Sequence, residues 1–295
     1  MLTVRHFLWV MKPAWITSLL LLVPAALCFA EPLIIAHRGS SATAPENTIP
    51  AFELAWEQQA DGIEADFLLT KDGHIVCFHD KDTKRITGKK LLVKNTPLSK
   101  LRQLDVGSWK GEQYKGTRIP TIAEVLATVP DGKKIYIEIK CGEEIVTPLL
   151  REIEASTLTK NQIVIICFKA GVLKAIKQHA PHLQTSWLCN IKKDKSGKVT
   201  PTHETICKTL EDIHANGFSS SHQNINLALI NKVNEAEIMH HVWTVNDPAI
   251  ATRFSQWGTA SITTDKPALI KNAIKTVPAP KKAAMLPAST PPCWI

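Results

Sequence analysis

Leu33-Ile34-Ile35-Ala36-His37-Arg38-Gly39 opens the stretch whose reading decides the fold. Four apolar residues run into an imidazole, a guanidinium and a glycine, the pattern of a short buried strand that becomes a loop at His37. Beyond it, Pro45-Glu46-Asn47-Thr48 leads into a helical pattern over Thr48–Gln59, and Gly62 to Leu68, with Glu64-Ala65-Asp66 inside it, returns to strand. Strand, helix and strand in close succession make the βαβ unit of a parallel sheet.

The alternation continues outward from there. Further strands are expected at Ile75–Phe78, Ile135–Ile139, Ile163–Cys167, Thr185–Leu188, Gly217–Ser219, Val242–Val245 and Ala260–Thr263. Helices fit Thr121–Val129, Glu143–Ala155, Lys169–His179, Thr205–Ala215, Asn224–Ala236 and Pro248–Gln256. That gives nine strand candidates, one more than an eight-stranded barrel needs, and Thr70-Lys71-Asp72-Gly73 leaves no room for a crossover helix. The second and third segments are therefore expected to form a local hairpin or an irregular pair. Polar residues recur at several strand ends and no Gly-rich dinucleotide turn is present, which favours an irregular TIM (β/α)8 barrel over a doubly wound sheet. Its domain is expected over 31–272, with a small insertion after the third strand segment at about 80–118. Thr121, with Glu124 three residues on, reads as the cap of the helix that ends the insertion.

Residues 1–30 read as a secretory signal peptide: Arg5 and Lys12 precede an apolar stretch from Ile16 to Leu27, and Ala30 is a small residue at a cleavage point. Export to a bacterial periplasm is the expectation, with secretion or an uncleaved anchor as the alternatives. Residues 273–295, rich in Pro, Ala, Lys and Ser, read as a low-complexity tail. The net charge of +8 favours anionic small molecules or weak association with a phospholipid surface. The lysines are scattered and no arginine-aromatic stripe supports nucleic-acid binding. Cys77 and Cys167 sit in apolar runs as small hydrophobes, whereas Cys141, Cys189, Cys207 and Cys293 can pair after export. The sequence sets no oligomeric state.

Glu64 and Asp66 are two apart on one strand and so share a face, and Glu138 ends another strand in the same fashion. Three converging carboxylates call for protons or a hard cation, and oxygen ligands without a cysteine cluster suit Ca²⁺ or Mg²⁺. His37 and His79 each emerge where a strand becomes loop, and an imidazole's ordinary pKa suits one to take a proton and the other to give one. Arg38 offers a fork for phosphate oxygens, and Lys140, on the strand face of Glu138, a compact positive charge. Glu46 and Asn47 either brace the loop after Gly39 or enter the cation shell. Phe168, Trp187 and above all Trp243 are candidate pocket walls, and Trp109 and Tyr114 can line or cover the mouth. His203, His214, His222, His240 and His241 have no complementary ligands nearby in sequence and are left outside the mechanism.

Taken in order, His37-Arg38-Gly39, Glu46-Asn47, Glu64-Ala65-Asp66, Leu69-Thr70-Lys71-Asp72-Gly73, His79-Asp80, Glu138-Ile139-Lys140, Trp243-Thr244-Val245-Asn246 and Ile262-Thr263-Thr264-Asp265 resemble the glycerophosphodiester phosphodiesterase family. The resemblance implies a barrel fold with an insertion after His79. It further implies His37 and His79 in acid-base catalysis, Glu64, Asp66 and Glu138 on Ca²⁺ or Mg²⁺, and Arg38 and Lys140 on phosphate. The implied substrate is a small glycerophosphodiester, cleaved by water to sn-glycerol 3-phosphate and an alcohol. A lysophospholipase D-like activity is the enzymatic alternative, and a non-catalytic phospholipid-headgroup binding protein the other.

Overall fold

The structure, a computed structural model, describes residues 31–275; the expected signal peptide and nearly all of the expected tail lie outside the described residues. The described strands are β1 (Leu33–His37), β2 (Gly62–Leu69), β3 (Ile75–Cys77), β4 (Lys134–Ile139), β5 (Ile163–Cys167), β6 (Gln184–Cys189), β7 (Lys192–Lys193), β8 (Val199–Thr200), β9 (Gly217–Ser221), β10 (Met239–Trp243) and β11 (Ser261–Thr264). Eight of them, β1, β2, β4, β5, β6, β9, β10 and β11, pair side by side in parallel. Because β1 bonds to β11 on one side and β2 on the other, the sheet closes into a barrel and leaves these strands no free edge. The surplus candidate is β3, which folds back antiparallel on β2 through the Thr70–Gly73 turn.

Register places the chemistry. His37 is opposite Glu64 across β1 and β2, and Asp66 is opposite Glu138 across β2 and β4. Because alternate residues face inward, Tyr136, Val164, Ile166 and Leu188 fill the barrel interior with Ile35, beneath those charged strand ends. The outward-facing set, including Phe67 and Phe218, packs under the helices with Phe52 of helix Ile49–Glu57, all fully buried. Each such side chain contributes about 1.5–3 kcal/mol of hydrophobic stabilisation.

Three features depart from the sequence reading or add to it. The insertion carries its own small core, in which Ile86, Val93, Leu101, Leu104 and Val106 pack on Leu68, Val76 and Phe78. A two-stranded hairpin of β7 and β8 follows β6 and has no counterpart among the expected strands. A final helix, Pro267–Lys275, runs through the boundary expected at 272, because Ile270 and Ile274 bury against the cluster around Ile34 and Phe254. The capping box expected at Thr121 and Glu124 is formed, and Asp247 caps Pro248–Gln256 through the backbone N–H groups of Ala249 and Ile250. Cys141 and Cys189, two of the cysteines expected to be able to pair, carry free thiols, as do Cys77 and Cys167. No described helix is long and apolar enough to cross a membrane.

The turn after β1 is tight. Gly39 has φ +80°, and a Cβ there would stand 2.5 Å from the carbonyl carbon of Ala51. Both the left-handed backbone and the clash exclude a side chain. Gly39→Ala should cost about 2 kcal/mol or more of stability in urea denaturation; an unchanged midpoint would contradict this account of the turn.

Candidate active site

The expected carboxylates converge. Glu64, Asp66 and Glu138, all buried, bring one oxygen each within 4.8 Å of one another. Crowding and burial act on them unequally. Burial, then the charges of Asp66 and Glu138, push Glu64 well above the usual carboxylate range. Burial and Asp66 likewise push Glu138 up to about 7. Asp66 is lowered although burial opposes its charge, because Arg38 and Lys140 outweigh that cost.

Arg38 and Lys140 are the compensating cations. Arg38 Nε lies 3.1 Å from Asp66 Oδ2, and its backbone N–H donates to Glu64 Oε2 at 2.9 Å. Lys140 Nζ donates to Glu138 Oε1 at 2.6 Å and stands 3.3 Å from Asp66 Oδ1. Two lone-pair sites are left over: Glu64 Oε1 and Asp66 Oδ1 accept no hydrogen bond although both are buried. Glu64 Oε1 has no partner and Asp66 Oδ1 has only the Lys140 ion pair; buried carboxylate oxygens with lone pairs to spare at such a cluster suit a divalent cation, so the residues present fit one.

Asn47 proves to be a brace. In the left-handed region at φ +57°, it donates from Nδ2 to Asp66 Oδ2 at 2.8 Å and accepts the Asp66 N–H on Oδ1 at 3.1 Å. Glu46 faces the other way, accepting from Arg38 Nη1 at 3.0 Å.

The two histidines are held alike. His37 Nδ1 lies 2.7 Å from Asp265 Oδ1, and His79 Nδ1 lies 2.6 Å from Asp80 Oδ1. Asp265 also accepts from Ser41 Oγ and Asn246 Nδ2. Although burial opposes its charge, the His37 bond and these donors keep its pKa well below the usual range. Asp80 is lowered too: burial again opposes it, and the bonds from Arg85 and His79 win. Ionised carboxylates only accept, so each Nδ1 carries a proton and Nε2 is the free nitrogen of the neutral ring. His37 Nε2 lies 3.9 Å from Glu64 Oε2. Burial pushes the His79 imidazole below its usual pKa against the pull of Asp66.

One cavity of about 190 Å³ joins these groups, lined on its charged side by His37, Arg38, Glu64, His79, Glu138 and Lys140. Its apolar side carries Ile166, Leu188, Phe168 and Trp243, the last two in edge-to-face contact at 5.6 Å between ring centroids. Trp243 and Phe168 thus lie where the sequence placed them. Trp187 does not line this cavity; it tilts against Phe218, with its indole N–H on the Phe168 carbonyl. Trp109 and Tyr114 are also absent from the lining, and the Trp109 indole is tied to the carbonyl of Val106. His241, set aside in sequence, does line the cavity, whereas His240 is sealed in the wall between Ser220 and Thr259. Asp265, Asn246 and Arg85 carried no assigned role; the signal for the first two was their place within the family-like motifs, and Arg85 had none.

A closed parallel barrel with acids, bases and cations gathered at the C-terminal ends of its strands is the architecture of a TIM-barrel enzyme that works on an anionic substrate. Comparison with known proteins narrows this. The glycerophosphoryl diester phosphodiesterase family model matches residues 37–269. The glycerophosphodiester phosphodiesterase of Caldanaerobacter subterraneus subsp. tengcongensis is 34% identical over 248 residues, covering 82% of this chain and 98% of that protein. A Bacillus subtilis enzyme of the same name is 30% identical over 261 residues, covering 82% and 86%. Among solved structures, an Oleispira antarctica phosphodiesterase in complex with the product sn-glycerol-3-phosphate superposes with a TM-score of 0.76 at 27% identity, covering 83% of this chain and 98% of that one. This chain belongs to the glycerophosphoryl diester phosphodiesterase family and is an enzyme of it.

A cation held by these raised carboxylates would bind in a pH-dependent way. Glu138 is pushed up to about 7 and Glu64 well above the ordinary range, so a cation bound between them would displace protons below neutrality. Calcium affinity, measured by titration calorimetry, should weaken as pH falls from 8 to 5.5, by about tenfold per pH unit for each proton displaced. A pH-independent affinity would contradict the assignment of these carboxylates as ligands.

Proposed function

We propose that the protein hydrolyses small glycerophosphodiesters to sn-glycerol 3-phosphate and an alcohol, using Ca²⁺ or Mg²⁺ held by Glu64, Asp66 and Glu138. The observation that carries this reading is the single cavity on which two carboxylate-held histidines, two cationic side chains and the carboxylates Glu64 and Glu138 all open, with Asp66 buried beside them. When bound, the cation supplies charge stabilisation to the phosphate oxygens.

The chain's own residues supply the rest. Arg38 and Lys140 offer N–H groups to the non-bridging oxygens, where negative charge grows during displacement. One histidine Nε2 takes the proton of the attacking hydroxyl as a new P–O bond forms; the other, entering as imidazolium, gives a proton to the departing alkoxide as the old P–O bond breaks. Asp265 and Asp80 hold each ring and stabilise its charged form. The attacking hydroxyl is water's, or the substrate glycerol's own with water opening a cyclic phosphate afterwards. Direct attack by water needs this one pair of transfers; the cyclic route needs a second pair with the roles exchanged, one histidine taking water's proton as its P–O bond forms and the other returning a proton to the glycerol oxygen as the ring P–O bond breaks, and both give the same products.

Trp243 and Phe168 give the carbon skeleton an apolar wall. A volume of about 190 Å³ lies below the roughly 300–1,000 Å³ of sites for drug-sized ligands, which favours a short diester over an acyl chain. The leader-like first thirty residues support a reading in which this activity is exported, to a bacterial periplasm.

The test is incubation of the purified protein with glycerophosphocholine after chelation, then with Ca²⁺ or Mg²⁺ restored, quantifying glycerol 3-phosphate and choline. Release of both products should depend on the restored cation and fall by about 10²–10⁴ in His37→Ala and His79→Ala. Release that survives either substitution would refute the paired-histidine mechanism, and no release with either ion would refute the substrate.

A further inference from the structure

Arg85 lies on the short helix Lys84–Thr87 of the insertion and does not line the cavity, yet it is bonded to two of the carboxylates that orient groups which do. Its Nε donates to Asp80 Oδ2 at 2.6 Å, while Nη1 and Nη2 donate to Glu46 Oε2 and Oε1 at 3.0 and 2.8 Å. Asp80 holds His79 through its other oxygen, and Glu46 Oε1 also accepts from Arg38. The bonds form one run: His79, Asp80, Arg85, Glu46, Arg38. We propose that Arg85 is a positioning residue for phosphodiester hydrolysis, fixing the His79 imidazole and the Arg38 guanidinium relative to each other by gripping Asp80 and Glu46 at once.

The chemistry of the side chain supports this role over a merely stabilising one. The Arg85 side chain is 46% exposed, and ion pairs so open to solvent contribute about 0–1 kcal/mol to stability. What three N–H bonds from one planar group do provide is direction. Without Arg85, the Glu46 carboxylate loses two of its three described donors and Asp80 keeps the His79 bond alone, so both can rotate. Lysine cannot substitute, because a point charge lacks the fork that reaches two carboxylates in fixed geometry. Small displacements of groups that must meet a reacting phosphate are costly, since a shift of about 1 Å can reduce turnover by about 10²-fold. The inference rests on the reading that Arg38 grips phosphate and His79 moves a proton.

Steady-state kinetics on glycerophosphocholine at saturating Ca²⁺ test it, comparing wild type, Arg85→Ala, Arg85→Lys, the Glu46→Ala/Asp80→Ala pair, and that pair with Arg85→Ala added. Arg85→Ala should lower kcat/KM by about 30-fold or more, with kcat reduced as well as KM raised, and Arg85→Lys should not restore it. Melting temperature should stay within about 3 °C. Adding Arg85→Ala to the Glu46/Asp80 pair should cost less than about threefold, because the residue acts through those two carboxylates. Calorimetry provides the second readout: Arg85→Ala should weaken sn-glycerol 3-phosphate binding about fivefold or more and lower Ca²⁺ affinity by a smaller factor, since Arg85 touches none of the three cation ligands and reaches them only through Arg38. Wild-type kcat/KM in Arg85→Ala, rescue by lysine, multiplicative losses in the triple variant, or a matching loss of Ca²⁺ affinity would each overturn the proposal. A wild type that turns over no glycerophosphocholine would overturn the functional reading, and this inference with it.

Discussion

Three buried carboxylates sharing a space 4.8 Å across set the terms for the rest of the site. Three negative charges in so little room cannot all persist without compensation. Arg38 and Lys140 cancel two of them, and the remainder falls to a proton or a bound cation. Burial first, and then that surplus charge, raise Glu64 and Glu138, and the oxygens Glu64 Oε1 and Asp66 Oδ1, which accept no hydrogen bond, mark where a cation can relieve it. The crowding is imposed by pairing, because the register of β2 against β4 sets Asp66 beside Glu138 and that of β1 against β2 sets His37 beside Glu64. A strand slip of one residue would turn the acids into the apolar layer under the helices. Barrel closure therefore defends the site as well as the core.

Around this centre, orientation is delegated to neighbours. Asn47 fixes Asp66, Asp265 fixes His37, and Asp80 fixes His79. The two imidazole partners differ in what restrains them. Asp265 is tied by the neutral donors Ser41 and Asn246, whereas Asp80 is tied by the cation Arg85, which the insertion supplies. The rigid barrel carries the carboxylates, and the loops and insertion carry the groups that orient the two histidines. This division is common to barrel enzymes, where strand ends give precision and loops give variation.

Much of this was legible in the chain because it depends on local pattern. Apolar runs that carry or end in His37, Glu64-Ala65-Asp66, His79 and Glu138 announce strands and polar strand positions together, and the Thr70–Gly73 turn betrays β3 as a hairpin partner that does not belong in the barrel. What stayed hidden depends on closure. His37 and Asp265 are 228 positions apart and meet because β1 pairs with β11. Arg85 reaches Glu46 across 39 positions from a segment with weak periodicity. The hairpin pairs Lys192-Lys193 with Val199-Thr200, strands of two residues that are too short to carry a periodic signal. The last helix extends past the expected boundary because its apolar face docks on Ile34 and Phe254, a contact that composition near the chain's end masks. Trp187 shows the opposite error: an aromatic at a strand end faces the helices, since its parity on β6 is that of the outer layer.

The central claim, that one cavity assembles a cation held by Glu64, Asp66 and Glu138 with a phosphate gripped by Arg38 and Lys140, is tested most directly by a crystal structure with Ca²⁺ and sn-glycerol 3-phosphate. The account predicts calcium bound by all three carboxylates. It also predicts phosphate oxygens within hydrogen-bond reach of Arg38 and Lys140, with the glycerol against Trp243 and Phe168. Calcium bound elsewhere, or a phosphate seated away from both histidines, would contradict it.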